Sequence, residues 1–152
     1  MRAPAAPADS AARGIEVASE AALLLVAHGS RDPEWARPLQ ALRARLEQRL
    51  PDAPVELAFL EQMTPSLPQA IGALADRGIV RITIVPLFVA QGAHLRAELP
   101  RIVARACEDN PGVLVRTCPA LGDVDALLDA IADWAVLEHA RTRAADLGHP
   151  LA

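Results

Sequence analysis

The chain has 152 residues, of which 52% are hydrophobic and 22% charged, and its formal net charge is −4 at pH 7. This length and composition predict a single domain with a well-covered core. The acidic balance and low aromatic content argue against a nucleic-acid partner, and no apolar run approaches the roughly 20 residues of a membrane span.

The two ends of the chain differ in composition from its middle. Residues 1–20 are rich in Ala and Pro without a hydrophobic period, which predicts a disordered tail rather than a signal peptide. The folded domain is expected over residues 21–140, and the polar residues 141–152 are expected to fray. Cys107 and Cys118 form no disulfide or metal-binding pattern, which favours reduced thiols and a cytoplasmic protein.

The first predicted strand covers residues 22–27 and runs directly into His28. A short apolar run without polar alternation is typical of a strand buried on both faces of a parallel sheet. Gly29 allows a turn, after which Ser30 or Asp32 can cap the next helix. That helix is predicted over residues 33–50, with a buried stripe formed by Leu39, Leu42, Leu46 and Leu50.

The second strand is predicted over residues 55–60, with Glu56 indicating a position near the sheet edge. Thr64 is the expected cap of the second helix, with Pro65 at its first position. The core face of this helix is predicted to hold Leu67, Ala70, Ile71 and Leu74. Gly78 is well placed to end it.

The remaining elements repeat the same alternation. The third strand starts at Val80 and is expected to have Pro86 at its end or at a bulge. The third helix is predicted over residues 94–108 with a break at Pro100, and the fourth strand over residues 113–117. The last helix opens near Gly122 and Asp123, and one face is predicted to pack inward through Leu127, Leu128, Ile131, Trp134 and Leu137.

This β-α alternation predicts an α/β fold of the flavodoxin-like kind. Right-handed crossovers give a four-stranded parallel sheet of order 2-1-3-4 with helices on both faces. The switch point of such a sheet lies between strands one and three, and ligands bind beyond the carboxyl ends of the strands there. Topology therefore places His28 and His94 at the same edge.

Two imidazoles at one crevice can hold a borderline divalent metal ion or accept protons near neutral pH. The alternative is that each histidine only satisfies backbone groups at a strand end. Arg31 and Arg96, beside the histidines, are candidates for binding anions or are ordinary surface arginines. Three further residues lie at this edge. Ser30 is a candidate for a helix cap or a ligand contact. Glu61 and Gln91 are candidates for loop structure or substrate contact. His139 and His149 lie far along the chain and are expected to have no role.

The segment LLLVAHGSRDP, residues 23–33, resembles the opening of the sirohydrochlorin chelatases. The resemblance continues through VELAFLE at 55–61, PSL at 65–67, VPLF at 85–88 and GAH at 92–94. It implies a chelatase-type fold and a lyase that inserts a divalent metal into sirohydrochlorin, for cobalamin or siroheme biosynthesis. Co²⁺ is the first candidate, with Fe²⁺ and Ni²⁺ as alternatives, and no cofactor is implied beyond this metal co-substrate.

The resemblance also implies roles for residues. His28 and His94 match the metal-site histidines of the family, and His28 matches the one thought to accept pyrrole protons. The substrate loop of the family matches Val89, Ala90, Gln91, Gly92 and Ala93, up to His94. Thr64 stands where many members have an acidic residue, and Glu98 where many have aspartate. Larger relatives contain two such halves, so a homodimer is the expected way for this chain to complete its cleft.

Two other functions remain open. A module that carries a metal or a tetrapyrrole without turnover would need the same histidines. Histidine-type phosphatases also place His-Gly after the first strand, but with an arginine just before the histidine. Ala27 occupies that position here, which argues against a phosphohistidine pocket.

Overall fold

The computed structural model describes residues 20–147, with side chains described as far as residue 143. The predicted tail over residues 1–20 thus lies outside the described residues except for Glu20. The strands are β1 (Ala21–Ala27), β2 (Val55–Phe59), β3 (Arg81–Pro86) and β4 (Leu114–Thr117). The α-helices are α1 (Arg37–Arg49), α2 (Leu67–Asp76), α3 (Ala93–Asp109) and α4 (Asp125–Leu147). Short 3₁₀ turns at Pro33–Ala36 and Leu121–Asp123 precede α1 and α4.

The four strands form one parallel sheet in the order β2-β1-β3-β4, which confirms the predicted topology. Leu25 on β1 pairs with Leu57 on β2 and with Val85 on β3. β2 is an edge strand, as Glu56 indicated, and Pro86 is the last residue of β3, opposite Val26. The carboxyl ends of β1 and β3 therefore lie side by side.

Helices cover the sheet on both sides. Residues of α2 and α3 pack on one face around Leu24, Val26 and Ile84, which are all fully buried. α1 and the turn before it pack on the other face, around Leu25 and Phe59. Since the two cores share β1, this strand is buried on both faces, as its unbroken apolar run predicts.

The predicted buried stripe of α1 is only partly correct. Leu39, Leu42 and Leu46 are half-buried against the second core, whereas Leu50 lies beyond the helix and is 39% exposed. The helix lies against β2, at the edge of the sheet, so only one side of it is covered. The helix also begins later than predicted, because residues 33–36 form a 3₁₀ turn that Asp32 caps.

The cap predicted for α2 is wrong. Ser66, not Thr64, caps the helix: its Oγ accepts from the Gln69 N–H, and the Gln69 side chain accepts from the Ser66 N–H. This reciprocal capping box fixes the start at Leu67 and displaces Pro65 from the helix. The four predicted core residues of α2 are all buried: Leu67, Ala70, Ile71 and Leu74.

α3 runs through Pro100 without ending there, so the break predicted at this residue does not occur. Leu99 and Ala106 on either side of it are buried in the core, and half-buried Leu95, Ile102 and Val103 pack against the same cluster. This apolar face holds the helix on the sheet across the proline.

α4 departs most from prediction. Its apolar face is exposed rather than buried, with exposed fractions between 40% for Leu127 and 62% for Trp134. The helix packs mainly against the turn before it and does not cover the sheet. It continues to Leu147, past the fraying expected at residue 141, and residues 148–152 lie outside the described part. None of the helices in the described residues is both long and apolar enough to cross a membrane.

Candidate functional site

His28 and His94 line a single cleft of about 340 Å³ at the carboxyl edge of the sheet. His28 directly follows β1, and the loop after β3 leads to His94, the second residue of α3. Adjacent parallel strands end at the same edge, so topology brings together two residues that are far apart in sequence. The other residues that line the cleft are Leu60, Glu61, Ala90, Gly92, Leu95, Glu98 and Ile102.

The His28 ring is held from two sides. The ring makes a T-shaped contact with the Phe88 ring, with 5.9 Å between the two centroids. Its Nδ1 lies 3.4 Å from Oε1 of Glu61, and its backbone carbonyl accepts a hydrogen bond from the Glu61 N–H at 3.0 Å. The side chain remains 56% exposed, so the rest of the ring faces the open cleft.

Gly29 makes this approach of His28 and Glu61 possible. Its φ is +100°, in the region that favours glycine, and a Cβ there would lie 1.8 Å from the Glu61 carbonyl oxygen. No other residue can occupy this position without moving the two loops apart. The glycine after the first strand is therefore required by both its conformation and its surroundings.

His94 is the more exposed of the two histidines, at 92% of its side chain. Its Nδ1 lies 3.3 Å from Oε2 of Glu98, one turn later on α3. A carboxylate beside Nδ1 favours a proton on that nitrogen and leaves Nε2 with a lone pair for a metal ion or a proton. The same holds for His28 and Glu61, so the two histidines have matching surroundings.

The site does not form a closed metal cage. Over residues 20–143, no group of three or more His, Cys, Asp or Glu side chains is arranged to hold a metal ion. Two imidazoles that leave other coordination positions open suit an ion that must be passed on to another ligand.

The predicted substrate loop divides between three surfaces. Ala90 and Gly92 line the histidine cleft, whereas Val89 lines an apolar groove beside α4. The carbonyl of Gln91 accepts hydrogen bonds from Nε and Nη2 of Arg96, at 3.1 and 3.0 Å. Arg96 therefore braces this loop. Ala93 begins α3 and is exposed.

Three other candidates lie outside the lining of this cleft. Ser30 accepts a hydrogen bond from the Asp32 N–H at 3.1 Å and so stabilises the turn after His28. Arg31 and Thr64 are exposed on neighbouring loops. Conversely, sequence reasoning did not select Glu98 as a site residue. Its position four residues after His94 on a predicted helix was the signal, because such residues share a helix face.

Several known proteins are similar to this chain in sequence. The family model CbiX matches residues 22–135. The sirohydrochlorin cobaltochelatase of Methanocaldococcus jannaschii is 37% identical over 89 residues, which cover 59% of this chain and 62% of that protein. The sirohydrochlorin ferrochelatase of Priestia megaterium is 33% identical over 113 residues, covering 74% and 42%. The chain thus spans about half the length of these curated relatives.

Solved structures share the fold. A CbiX protein from Marinobacter aquaeolei VT8, described under cobalamin (vitamin B12) biosynthesis, superposes with a TM-score of 0.71 at 30% identity. The match covers 80% of this chain and 98% of that one. The sirohydrochlorin chelatase SirB from Bacillus subtilis subspecies spizizenii, in complex with cobalt, gives a TM-score of 0.60 at 27% identity, covering 74% and 48%.

Proposed function

The chain belongs to the CbiX family, and we propose that it is a sirohydrochlorin chelatase, a lyase that inserts a divalent metal ion into this tetrapyrrole. The observation that carries the proposal is that His28 and His94 line one open cleft, each with a carboxylate beside Nδ1. Both Nε2 atoms are then available for the chemistry of the reaction.

Metal insertion exchanges two pyrrole N–H bonds for bonds to the metal and releases two protons. His94 holds the entering ion through Nε2, on the open face of the macrocycle. His28 accepts a pyrrole proton and passes it to water, and the adjacent Glu61 carboxylate stabilises the imidazolium that forms. The second proton leaves by the same route once His28 is neutral again.

The carboxylates of sirohydrochlorin require local positive charge on an acidic protein. Gly92 occupies the cap position before α3 and has no side chain to cap it, so the first N–H groups of this helix lie at the cleft for an anion. Arg31 and Ser30 on the turn after His28 are further contacts, with Thr64 on the neighbouring loop. The loop formed by Val89, Ala90, Gln91, Gly92 and Ala93 then positions the macrocycle over His94.

A cleft of about 340 Å³ in one chain is small for a tetrapyrrole, so we expect two copies to complete the site. The metal enters as a substrate, and the proposed reaction needs no other cofactor. We place the reaction in the cytoplasm. Relatives are named for cobalt and for iron, and we propose Co²⁺ as the physiological ion, since the archaeal relative at 37% identity is named a cobaltochelatase.

The test is a spectroscopic assay with the full chain, sirohydrochlorin and Co²⁺, Fe²⁺ or Ni²⁺ in separate reactions. The absorbance change should correspond to many molecules of product per chain and exceed the rate without protein. His28→Ala and His94→Ala should each lower the initial rate at least about 100-fold while the fold is retained. His139→Ala, on α4 and exposed, is the matched control and should keep the full rate.

A change that stops at one product per chain would indicate the carrier function instead. Wild-type rates in both histidine variants would overturn the proposal for this site. The initial rates with the three ions, measured at equal free concentration, test the choice of Co²⁺.

A further inference from the structure

The loop between β3 and α3 contributes to two cavities. Ala90 and Gly92 line the histidine cleft. Gln91, between them, lines a smaller crevice of about 170 Å³ at the carboxyl ends of β3 and β4, together with Arg96. Because neighbouring residues of the loop line different cavities, a movement of Gln91 in the crevice would also move Ala90 and Gly92 in the cleft.

Arg96 holds the loop from the side of the crevice. Its Nε and Nη2 atoms both donate to the Gln91 carbonyl oxygen, at 3.1 and 3.0 Å. Its backbone N–H donates to the next carbonyl, that of Gly92, at 3.2 Å. A charged donor makes a stronger hydrogen bond than a neutral one, and the planar fork of the guanidinium also fixes its direction. One residue therefore fixes two consecutive carbonyl groups immediately before α3.

Arg96 lies on the other side of α3 from His94. Residues two apart on an α-helix point about 200° apart around its axis. Accordingly His94 and Glu98 line the cleft, whereas Arg96 and Leu99 line the crevice. The Arg96 guanidinium takes part in none of the ion pairs found in the described part of the chain, so no carboxylate competes for it. Its effect on the cleft is therefore indirect, through the Gln91 carbonyl.

The start of the loop is fixed by backbone contacts instead. The Gly122 N–H donates to the Phe88 carbonyl at 3.4 Å, and a Cβ on Gly122 would lie 1.7 Å from the Val89 carbonyl oxygen. Arg96 supplies the side-chain hydrogen bonds at the opposite end of the loop. Ala90 is exposed between the two anchored ends, so its position over the cleft depends on both of them.

We propose that Arg96 is a positioning residue for the tetrapyrrole: by holding the Gln91 carbonyl, it keeps Ala90 and Gly92 where they receive the macrocycle. The inference rests on the proposed function and deepens it. A loop that is held in its binding form before the substrate arrives loses less conformational freedom on binding. Loss of the two hydrogen bonds should therefore weaken binding of the macrocycle while the chemistry of the two histidines remains.

The first experiment measures steady-state kinetics of Co²⁺ insertion by the full chain with varied sirohydrochlorin. Arg96→Gln should raise KM for sirohydrochlorin at least about tenfold, with kcat within about threefold of the wild type. Its affinity for Co²⁺ alone should equal that of the wild type, since His94 and Glu98 lie on the other side of the helix. Arg96 is exposed, so the variant should fold, and circular dichroism checks this.

Two further variants separate the hydrogen bonds from the positive charge. Arg105→Gln is the matched control, because it removes one positive charge from an exposed position on the same helix and should leave KM unchanged. Arg96→Lys keeps the charge without the planar fork and should recover only part of the loss. An equal rise in KM for Arg105→Gln, or full recovery by Arg96→Lys, would mean that charge alone acts and would overturn the proposal.

The second experiment is limited digestion with elastase in the absence of sirohydrochlorin. Elastase cleaves after small apolar residues, and Val89 in the loop is 66% exposed. Cleavage after Val89 or Ala90, located by mass spectrometry, should be at least about fivefold faster in Arg96→Gln than in the wild type or Arg105→Gln. A raised KM with an unchanged cleavage rate would mean that Arg96 binds a substrate carboxylate directly, which overturns the proposal.

This inference and the chelatase proposal fail in different ways. A wild type that inserts no metal overturns the chelatase proposal, whereas digestion still shows whether Arg96 holds the loop. A wild type that inserts metal with a KM that Arg96→Gln does not change overturns only the role of Arg96.

Discussion

The Nδ1 atom of His94 lies 3.3 Å from Oε2 of Glu98, one helical turn further along α3. A carboxylate in this position orients the ring and favours the tautomer with its proton on Nδ1, which leaves Nε2 free as the nitrogen that we assign to the metal ion. Glu98→Gln should therefore lower the rate of Co²⁺ insertion by about tenfold or more without unfolding the protein. The measurement is the initial rate together with the affinity for Co²⁺ alone.

The control for this variant is Glu108→Gln, an exposed residue near the other end of α3 that should leave both values unchanged. Glu98→Asp should recover part of the loss, because the carboxylate is retained on a shorter side chain. Equal rates for wild type and Glu98→Gln would show that the pair is only a surface contact.

Gly29→Ala should lower both stability and activity. The added Cβ would meet the Glu61 carbonyl oxygen at 1.8 Å, at a φ of +100°. Gly78→Ala is the matched variant, since Gly78 also has a positive φ of +83° but nothing lies within 4 Å of its Cβ position. Gly78→Ala should cost only about 1 kcal/mol of backbone strain, and Gly29→Ala clearly more. Urea unfolding of both variants gives the difference, and equal losses would contradict the close approach.

Ser66→Ala should lower the free energy of unfolding by about 1 kcal/mol, because its Oγ accepts the Gln69 N–H at the start of α2. Thr64→Ala should have little effect on stability, although the sequence pattern favoured Thr64 as the cap. Thermal unfolding of the two variants under one set of conditions distinguishes them. A larger loss for Thr64→Ala would return the cap to that residue.

Gly122→Ala should displace the loop that leads to His94. A Cβ at this position would lie 1.7 Å from the Val89 carbonyl oxygen, and backbone on both sides leaves no flexible side chain to yield. We expect reduced stability and slower insertion. Gly72→Ala provides the contrast: Gly72 lies inside α2 with its nearest neighbour at 3.9 Å, so alanine should stabilise by about 0.5–1 kcal/mol. Calorimetry on both variants should give shifts of opposite sign.

Local pattern and topology were sufficient for most of the fold. The apolar run ending at His28 identified a strand buried on both faces, and the right-handed crossover rule then placed His94 at the same edge. The cap of α2 was harder, because each of the two candidates has a proline close after it: Pro65 directly follows Thr64, and Pro68 is two residues after Ser66. The choice depends on which of them finds Gln69 three residues later, and only Ser66 does.

The failures share another cause. The apolar face of α4 has the spacing of a buried face, but spacing does not say which surface will bury it. Leu50 was assigned to the core because it continues the period of α1, yet the helix lies at the edge of the sheet and ends one residue earlier. Glu98 was compared with the family's aspartate but not selected as a site residue, because its significance depends on the Nδ1 atom of His94 beside it.

Pro86 makes the hydrogen bonding at the end of β3 different on its two sides. Toward β1 the ladder continues, since Leu87 N–H donates to the Val26 carbonyl at 2.8 Å. Toward β4 it stops after Cys118 N–H donates to the Ile84 carbonyl, because a proline has no hydrogen for the next rung. The chain beyond Cys118 is thereby released from the sheet and can bend back until Gly122 meets Val89. Pro86 thus ends the pairing between β3 and β4, and the end of this pairing sets the direction in which α4 leaves the domain.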